Sequence, residues 1–319
     1  MRVGIPRGLL YAHHGAAWES VLSSLGVEAL VSPPTNRAIL AEGCRLAVDE
    51  TCLSVKAYLG HVSWLAERSD AVLVPRVVSQ SRRERECVKL WGIYDVVRNS
   101  LPDMNIIGYS VDAGGITQDA SGYGRGLYEL ATSLGATPLS AATAVARARI
   151  AEWQTVAPGM ARQRQVYSRP CEQPRVLLVG HAYNLHDEMI GAPIGRTLCE
   201  LGCEVVDSEA TPARLAKRLG RKASPGLQWS NNLRLLGSVQ HWRDRVDGIV
   251  FVVTFPCGPD SLVTELALRK VRDVPMITLV LDEHSGEGGL RTRLESFVDI
   301  LGMQRERKVL LKTAGEGGP

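Results

Sequence analysis

The stretch GIVFVVT, residues 248–254, is the clearest buried strand in the sequence, and the residues after it complete a strand–helix–strand unit. The loop FPCGPD at 255–260 leads into a predicted helix over 259–271 and a second predicted strand over 275–281. An unbroken apolar run of this length is typical of a parallel strand that is covered on both faces. The unit therefore predicts an open α/β sheet, in which ligands bind beyond the carboxyl ends of the strands.

The same alternation of strand and helix patterns extends outward over the rest of the chain. Further strands are predicted over 2–5, 27–31, 71–78, 105–109, 175–180 and 203–207. Further helices are predicted over 16–25, 52–68, 123–134, 187–201, 211–219 and 290–301. Because strands that alternate with helices form parallel sheets with right-handed crossovers, the fold class is α/β with mostly parallel sheets.

A polar segment without clear periodicity, residues 154–174, follows a predicted helix at 141–153 and divides the chain. We expect an N-terminal α/β lobe over 1–140 that carries Cys52 and Cys87, and a helix and linker over 141–174. A C-terminal α/β lobe over 175–312 carries Cys257, and 313–319 form a disordered tail. Polar motifs at the strand ends of both lobes predict a shared cleft between them.

Composition excludes several classes of protein. The formal net charge is +3 and the basic residues are dispersed, so a nucleic-acid partner is not expected. No stretch is long enough and free enough of charge to span a membrane, and no long apolar leader opens the sequence, so we expect a cytoplasmic protein. Seven cysteines in that compartment indicate metal binding or catalysis more than a disulfide framework.

Three cysteines, Cys52, Cys87 and Cys257, lie in separate loops beside predicted strand or helix ends. Thiolates near helix N-termini ionise more easily, and thiolates from scattered positions can converge on one iron–sulfur cluster. None has a partner at two-residue spacing, so a zinc ribbon is not expected. Spacing alone leaves open the alternative that these are buried or isolated thiols, and Cys44 is either a spare ligand or a packing residue.

Other polar residues are candidates for the cleft. The loop DEHSGEGG at 282–289 carries Glu283 and His284, which suit acid–base chemistry, although an N-cap and hinge loop is the alternative. His61 lies on the predicted helix of Cys52 and faces either the cleft or the packed interior. The segment after the strand at 175–180 lacks the glycines and the lysine of a phosphate loop, so no ATP site is predicted.

Several motifs together resemble the proteins related to activases of 2-hydroxyacyl-CoA dehydratases. They occur in the same order over nearly the whole chain: GIPR at 4–7, SPPTN at 32–36, DETCLSVK at 49–56, GHV at 60–62, VPR at 74–76, CVK at 87–89, YNLHD at 183–187, CGPDSLV at 257–263 and DEHSGE at 282–287. The chain departs from that pattern at Val88 and Ala182, where the family usually has proline. The family is similar to the cluster-bearing subunits of 2-hydroxyacyl-CoA dehydratases, benzoyl-CoA reductases and double-cubane cluster proteins.

The resemblance implies two Rossmann-like lobes with an iron–sulfur cluster in the cleft, held by Cys52, Cys87 and Cys257. It implies low-potential electrons from a separate ATP-hydrolysing activase, and dimerisation by analogy. Three motif cysteines favour one 4Fe-4S cluster per chain. The alternative, a double-cubane cluster, needs further ligands such as Cys44 or a second subunit.

Two functions follow from the resemblance. The first is a dehydratase or reductase component that passes electrons to a small-molecule or acyl-CoA substrate in the cleft; the second is a non-catalytic cluster carrier or scaffold. The candidate catalytic residues are Glu283, His284 and His61. The candidate cofactor-binding residues are Lys56, Arg76, Lys89, Tyr183 and Asn184. A third alternative, a cluster-free ligand-binding protein, requires the three cysteines to lie far apart.

Overall fold

The computed structural model describes residues 1–117, 121–168 and 171–315. Its first half contains six strands: β1 (Arg2–Ile5), β2 (Glu28–Val31), β3 (Ala71–Leu73), β4 (Arg76–Ser79), β5 (Ile106–Ile107) and β6 (Ser110–Asp112). The helices are α1 (Tyr11–Ser24), α2 (Arg37–Leu46), α3 (Leu53–Ala66), α4 (Val88–Trp91), α5 (Ile93–Ser100), α6 (Tyr123–Ser133) and α7 (Pro138–Ser168). Four strands form a parallel sheet in the order β2-β1-β3-β5, and β4 pairs with β6.

The second half builds a separate parallel sheet in the order β10-β9-β7-β8. Its strands are β7 (Arg175–Val179), β8 (Glu204–Asp207), β9 (Gly248–Thr254) and β10 (Met276–Leu281). Its helices are α8 (Ala182–Leu185), α9 (Ala192–Glu200), α10 (Ala213–Ala223), α11 (Ser230–Trp242), α12 (Gly258–Lys270) and α13 (Glu287–Gly315). Strand β9 is buried at all seven positions between β7 and β10, as the apolar run predicted.

Each half packs its own apolar core, and the sheets in both are parallel, so the predicted fold class is confirmed. Leu53 is an exception to the division, because this first-half residue belongs to the core of the second half. The start of α3, directly after Cys52, therefore packs against the second half.

Helix α3, which follows Cys52, is placed by a close crossing with α2. The side chain of Asn36 caps α2 by accepting hydrogen bonds from the N–H groups of Ala38 and Ile39, as expected for this residue type. A Cβ at Gly43 would lie 1.8 Å from the Lys56 carbonyl oxygen, and one at Gly60 would lie 1.9 Å from the Ile39 carbonyl oxygen. The two glycines let the helix backbones touch, which sets the position of the N-terminus of α3.

Some elements differ from the sequence predictions. Helix α7 is continuous to Ser168, with Pro158 inside it, where the sequence predicted a helix over 141–153 and then a linker. The segment is rich in Ala, Arg and Gln, whose helix propensity sustains it. The predicted strand 71–78 is two strands, because Pro75 separates β3 from β4 and the two join different sheets. Helix α11 was not predicted.

The C-terminal end is partly helical. Helix α13 reaches Gly315 and so includes the first residues of the tail predicted at 313–319, whose remainder, 316–319, lies outside the described residues. Within the described ranges, no helix has both the length and the apolar character needed to cross a bilayer.

Candidate functional site

Cys52, Cys87 and Cys257 line one cavity of about 30 Å³ between the two halves of the chain. They come from three separate elements, and each occupies the N-cap position of a helix: Cys52 before α3, Cys87 before α4 and Cys257 before α12. The rest of the lining is mixed polar and apolar: Leu9, Ser54, Val55, Glu86, Lys89, Leu90, His181, Tyr183, Asn231, Asn232, Thr254 and Pro259. The fold thus brings together thiols that are 205 residues apart in sequence, since they range from position 52 to 257.

Backbone N–H groups in the first turn of each helix lower the pKa of the thiol at its N-cap, although none of the three side chains makes a capping hydrogen bond. These N–H groups belong to Val55 for Cys52, Lys89 for Cys87 and Asp260 for Cys257. These donors, together with the positive ends of the peptide dipoles, favour negative charge on the three sulfurs.

Burial acts against that ionisation. It raises the pKa of Cys52, of Cys87 and, most strongly, of Cys257, and the carboxylate of Asp260 raises all three further. Burial outweighs the opposing effect of Lys89 on Cys52 and Cys87, so the thiols are protonated at neutral pH. A metal-containing group that binds there must displace their protons, as thiolate ligation requires.

The cysteine loops of the first half are fastened to the second half by hydrogen bonds. The Ser54 hydroxyl donates to Asn184 Oδ1 at 2.7 Å and lies 3.0 Å from Thr254 Oγ1. In the Cys87 loop, the Arg85 N–H donates to the Gln228 carbonyl at 2.8 Å, and the Arg85 carbonyl accepts from the Ser230 N–H at 2.9 Å. Both loops are thus held against the half that carries Cys257.

A buried acid and histidine form one polar wall beside Cys257. Asp260 Oδ1 lies 2.8 Å from His181 Nε2 and accepts from Asn232 Nδ2 at 2.7 Å. The His181 ring stacks on Tyr183 with centroids 4.9 Å apart. Burial lowers the pKa of His181, but the facing Asp260 carboxylate outweighs it, so the pKa is raised overall. The pair is therefore favoured as imidazolium and carboxylate.

Glu86 supplies a second buried carboxyl group to the lining. It is 2 % exposed, and its Oε2 accepts a hydrogen bond from Asn231 Nδ2 at 3.1 Å. Its Oε1 is buried and has no hydrogen-bond partner among the described residues. Burial raises the pKa of Glu86 to about 7.

The structure brings some of the sequence-predicted cofactor residues to the cysteines. Lys89 and Tyr183 line the cavity itself. Asn184 is fully buried and does not line the cavity, but its Oδ1 accepts a hydrogen bond from the hydroxyl of Ser54, which does. Arg76 does not line it; the guanidinium of Arg76 pairs with Asp95 at 2.6 Å on a partly exposed surface.

Lys56 and Glu283 meet each other outside the cavity lining. Lys56 Nζ donates to Glu283 Oε1 at 2.6 Å, joining α3 of the first half to the loop after β10. Cys44 is close enough to this pair for both charges to act on its pKa, which burial raises. His284 is exposed in the same loop, and its N–H donates to Asp282.

His61 is fully buried in a hydrogen-bonded chain that also lies away from the lining. Its Nδ1 lies 2.9 Å from Ser32 Oγ and its Nε2 lies 2.9 Å from Thr35 Oγ1. The Thr35 hydroxyl in turn donates to Asp187 in the second half. Burial lowers the pKa of His61 to about 4, so the imidazole is neutral.

Sequence reasoning did not single out Glu86, His181, Asp260, Asn231 and Asn232 as site residues. Glu86, His181 and Asp260 lie within or beside the motifs named above, and an acidic residue directly before a motif cysteine is a signal that could have identified Glu86. Asn231 and Asn232 gave no signal, because they begin helix α11, which was not predicted. Across the described residues, no three His, Cys, Asp or Glu side chains are grouped closely enough to hold a single metal ion.

Comparisons with solved structures gave only weak likenesses. FpvC from Pseudomonas aeruginosa, in complex with Mn²⁺, is 13 % identical with a TM-score of 0.28, over 95 % of this chain and 99 % of that one. A Mn-bound S38A mutant of a periplasmic metal-binding protein from Candidatus Liberibacter asiaticus is 12 % identical with a TM-score of 0.29, over 94 % and 100 %. TM-scores this low do not establish a common fold.

Curated proteins gave no match to the sequence. A family match was found, and it covers residues 2–210, which include β1 to β8, Cys52 and Cys87. That is more than half of the chain, and it agrees with the resemblance carried by the motifs. The chain therefore belongs to the family described as the CoA enzyme activase uncharacterised domain (DUF2229).

Proposed function

We propose that Cys52, Cys87 and Cys257 hold one 4Fe-4S cluster, and that the protein accepts low-potential electrons from an ATP-hydrolysing activase. The electrons then pass to a substrate in the cleft between the halves, as in enzymes of the 2-hydroxyacyl-CoA dehydratase and reductase type. The observation that carries the proposal is the convergence of three N-cap cysteines, from three elements and both halves, on one cavity.

The donor set suits a cluster better than a single ion. Thiolates are the usual protein ligands of iron–sulfur clusters. In a cubane each thiolate binds a different iron, so the sulfurs lie further apart than the ligands of one ion. The three thiols share one cavity, but among the described residues no three His, Cys, Asp or Glu side chains are close enough together to hold one ion. Both observations agree with a cluster. Cys44 lies by Lys56 and Glu283, which favours one cubane over a double cubane that recruits Cys44.

A bound cluster supplies one-electron transfer, and the residues of this chain tune and shield it. The N–H groups at each sulfur and the Lys89 side chain stabilise negative charge. The buried carboxyl groups of Asp260 and Glu86 act in the opposite direction, because negative charge nearby disfavours an added electron. The balance between these donors and the buried carboxyl groups sets the reduction potential of a bound cluster.

One observation favours the second function, a non-catalytic electron carrier. The cavity measures about 30 Å³, whereas small-molecule sites are commonly about 300–1,000 Å³. An acyl-CoA does not fit this space, and since about 30 Å³ is the share of liquid volume of one water molecule, a cluster also enters only if the loops around the cysteines move apart. Catalysis would require the two halves to separate. A cytoplasmic location and a homodimer belong to the same proposal.

The experiment is reduction of the anaerobically reconstituted protein by a purified activase with ATP, followed in the visible spectrum. Bleaching that needs ATP hydrolysis, and fails with a non-hydrolysable analogue, is the expected result. Bleaching by the reductant alone, at the same rate without activase or ATP, would contradict the proposed partner. Turnover of an added acyl-CoA would then select the enzyme, and reduction without turnover would select the carrier.

A further inference from the structure

Glu86 is the one carboxyl group in the cavity lining, and it is buried with an oxygen left free. Its side chain is 2 % exposed, and Oε1 has no hydrogen-bond partner among the described residues. A buried carboxyl oxygen without a partner is unfavourable by about 1–3 kcal/mol. A group that binds in the cavity would give this atom a partner.

The rest of the Glu86 side chain is held so that the free oxygen keeps its place. Oε2 accepts from Asn231 Nδ2 at 3.1 Å, and the Glu86 N–H donates to the Val78 carbonyl at 2.9 Å. These two bonds tie the residue to α11 and to β4. The arrangement resembles that of a metal ligand whose second oxygen is oriented by a neighbouring amide.

Asp260 also has a buried oxygen without a partner, but it differs in two ways. Its Oδ1 already pairs with His181, which compensates the charge of the carboxylate, and accepts a hydrogen bond from Asn232. Its side chain is not part of the lining, although Pro259 before it is. Glu86 lacks an ion-pair partner among the described residues and faces the cavity, so it has the free coordinating capacity.

We infer that the Glu86 carboxylate is the fourth protein ligand of the cluster, bound to the iron that no cysteine reaches. The inference rests on the proposed function, since it presupposes a cluster on Cys52, Cys87 and Cys257. It makes the site a three-thiolate, one-carboxylate centre drawn from both halves of the chain. The fourth iron is then closed to substrate in the resting protein, unlike the fourth iron of a cluster that has an open site.

The test is electron–nuclear double resonance on the reduced protein, prepared with carbon-13-labelled glutamate and reconstituted anaerobically. A carboxylate bound to iron gives a carbon-13 hyperfine coupling in the wild type. The coupling is lost in Glu86→Gln, which keeps the size of the side chain and its bond to Asn231. It persists in the control Glu50→Gln, because Glu50 is exposed although it too stands beside a cysteine motif.

The outcomes separate the two claims. A wild-type protein with a cluster but no such coupling, or a coupling that survives Glu86→Gln, overturns the ligand assignment and leaves the proposed function standing. A wild-type protein that takes up no iron overturns both. The wild-type spectrum decides the assignment even where Glu86→Gln fails to fold.

Discussion

The N–H of Leu53 donates a hydrogen bond to the carbonyl oxygen of Phe255 at 3.1 Å. Leu53 follows Cys52, and Phe255 stands two residues before Cys257, so this bond joins the cysteine loops of the two halves directly. The Leu53 side chain is also buried in the core of the second half. The relative position of Cys52 and Cys257 therefore depends on a backbone contact as well as on side-chain packing.

Proline at position 53 tests that contact. Leu53 is the first residue of α3, where proline is tolerated, and Cys52 has the extended ψ of 148° that a residue before proline adopts. Leu53→Pro thus removes the donor while the helix is kept. We expect it to unfold about 1 kcal/mol more easily than Leu53→Ala, which loses similar packing but retains the N–H. Denaturant titration of both measures the difference, and equal midpoints would contradict a structural role for the bond.

The ion pair of Lys56 and Glu283 predicts an asymmetry between its two single variants. The Lys56 side chain is 6 % exposed and that of Glu283 is 25 % exposed. Glu283→Gln leaves a buried ammonium without its counter-charge, which is destabilising by about 3–5 kcal/mol when burial is complete. Lys56→Met leaves a carboxylate that water can reach, so the loss is smaller.

Thermal unfolding at neutral pH compares the two variants and the double variant. The order of stability should be Lys56→Met above Glu283→Gln, and the double variant should recover part of the loss. The reverse order would contradict the cost of an uncompensated buried ammonium and would mean that Lys56 contributes through contacts other than Glu283.

His61 predicts a dependence of stability on pH. Its folded-state pKa is lowered to about 4 from 6.5, so between these values the unfolded chain binds a proton that the folded chain does not. Its contribution is complete above pH 6.5 and falls as the pH drops toward 4, by about 1.4 kcal/mol for each pH unit. Unfolding midpoints of wild type and His61→Gln should converge as the pH falls from 7.5 to 4.5. Parallel curves would contradict the neutral, buried imidazole.

Gly60 predicts a long-range effect on the cysteine site. A Cβ there would meet the Ile39 carbonyl at 1.9 Å, so Gly60→Ala must push α3 away from α2. Overpacking of this kind is destabilising by about 1–3 kcal/mol or more. Gly124→Ala is the matched control, because it adds a methyl group to an exposed helical position with nothing within 4 Å. It should change stability by less than about 1 kcal/mol, in the stabilising direction.

Iron content should follow the same pattern in these two variants. Because α3 begins at Cys52, its displacement in Gly60→Ala should lower cluster occupancy, while Gly124→Ala keeps the wild-type value. Equal occupancy in both would argue that the Cys52 loop is positioned independently of the helix crossing.

The sequence predicted those elements whose signal lies in residues that are neighbours along the chain. The apolar run of β9 depends on neighbours along the chain, and this strand is present in the structure. Helix α11 was missed because it has no clear apolar stripe; it is buried on most sides between the sheet and α10. Its packing is set by residues distant in sequence, which a single sequence does not display.

The candidate site likewise has a part that the sequence predicted and a part that it did not. The three cysteines were identified by their loops and by the family resemblance, and Lys89 and Tyr183 lie with them. The partners that complete the cavity, such as Asn231 with Glu86 and His181 with Asp260, are joined only by tertiary contacts. Lys56 and His61 share a helix with Cys52, but helical periodicity turns them toward Glu283 and Thr35.

The most direct test of the central claim is the iron and acid-labile sulfide content of protein reconstituted without oxygen, for wild type and single cysteine variants. We predict about four irons per wild-type chain, a loss in Cys52→Ala, Cys87→Ala and Cys257→Ala, and no change in Cys44→Ala or Cys199→Ala. Absence of iron in the wild type, with every variant folded normally, would contradict the cluster and leave three protonated thiols in a cavity of mixed polar and apolar lining.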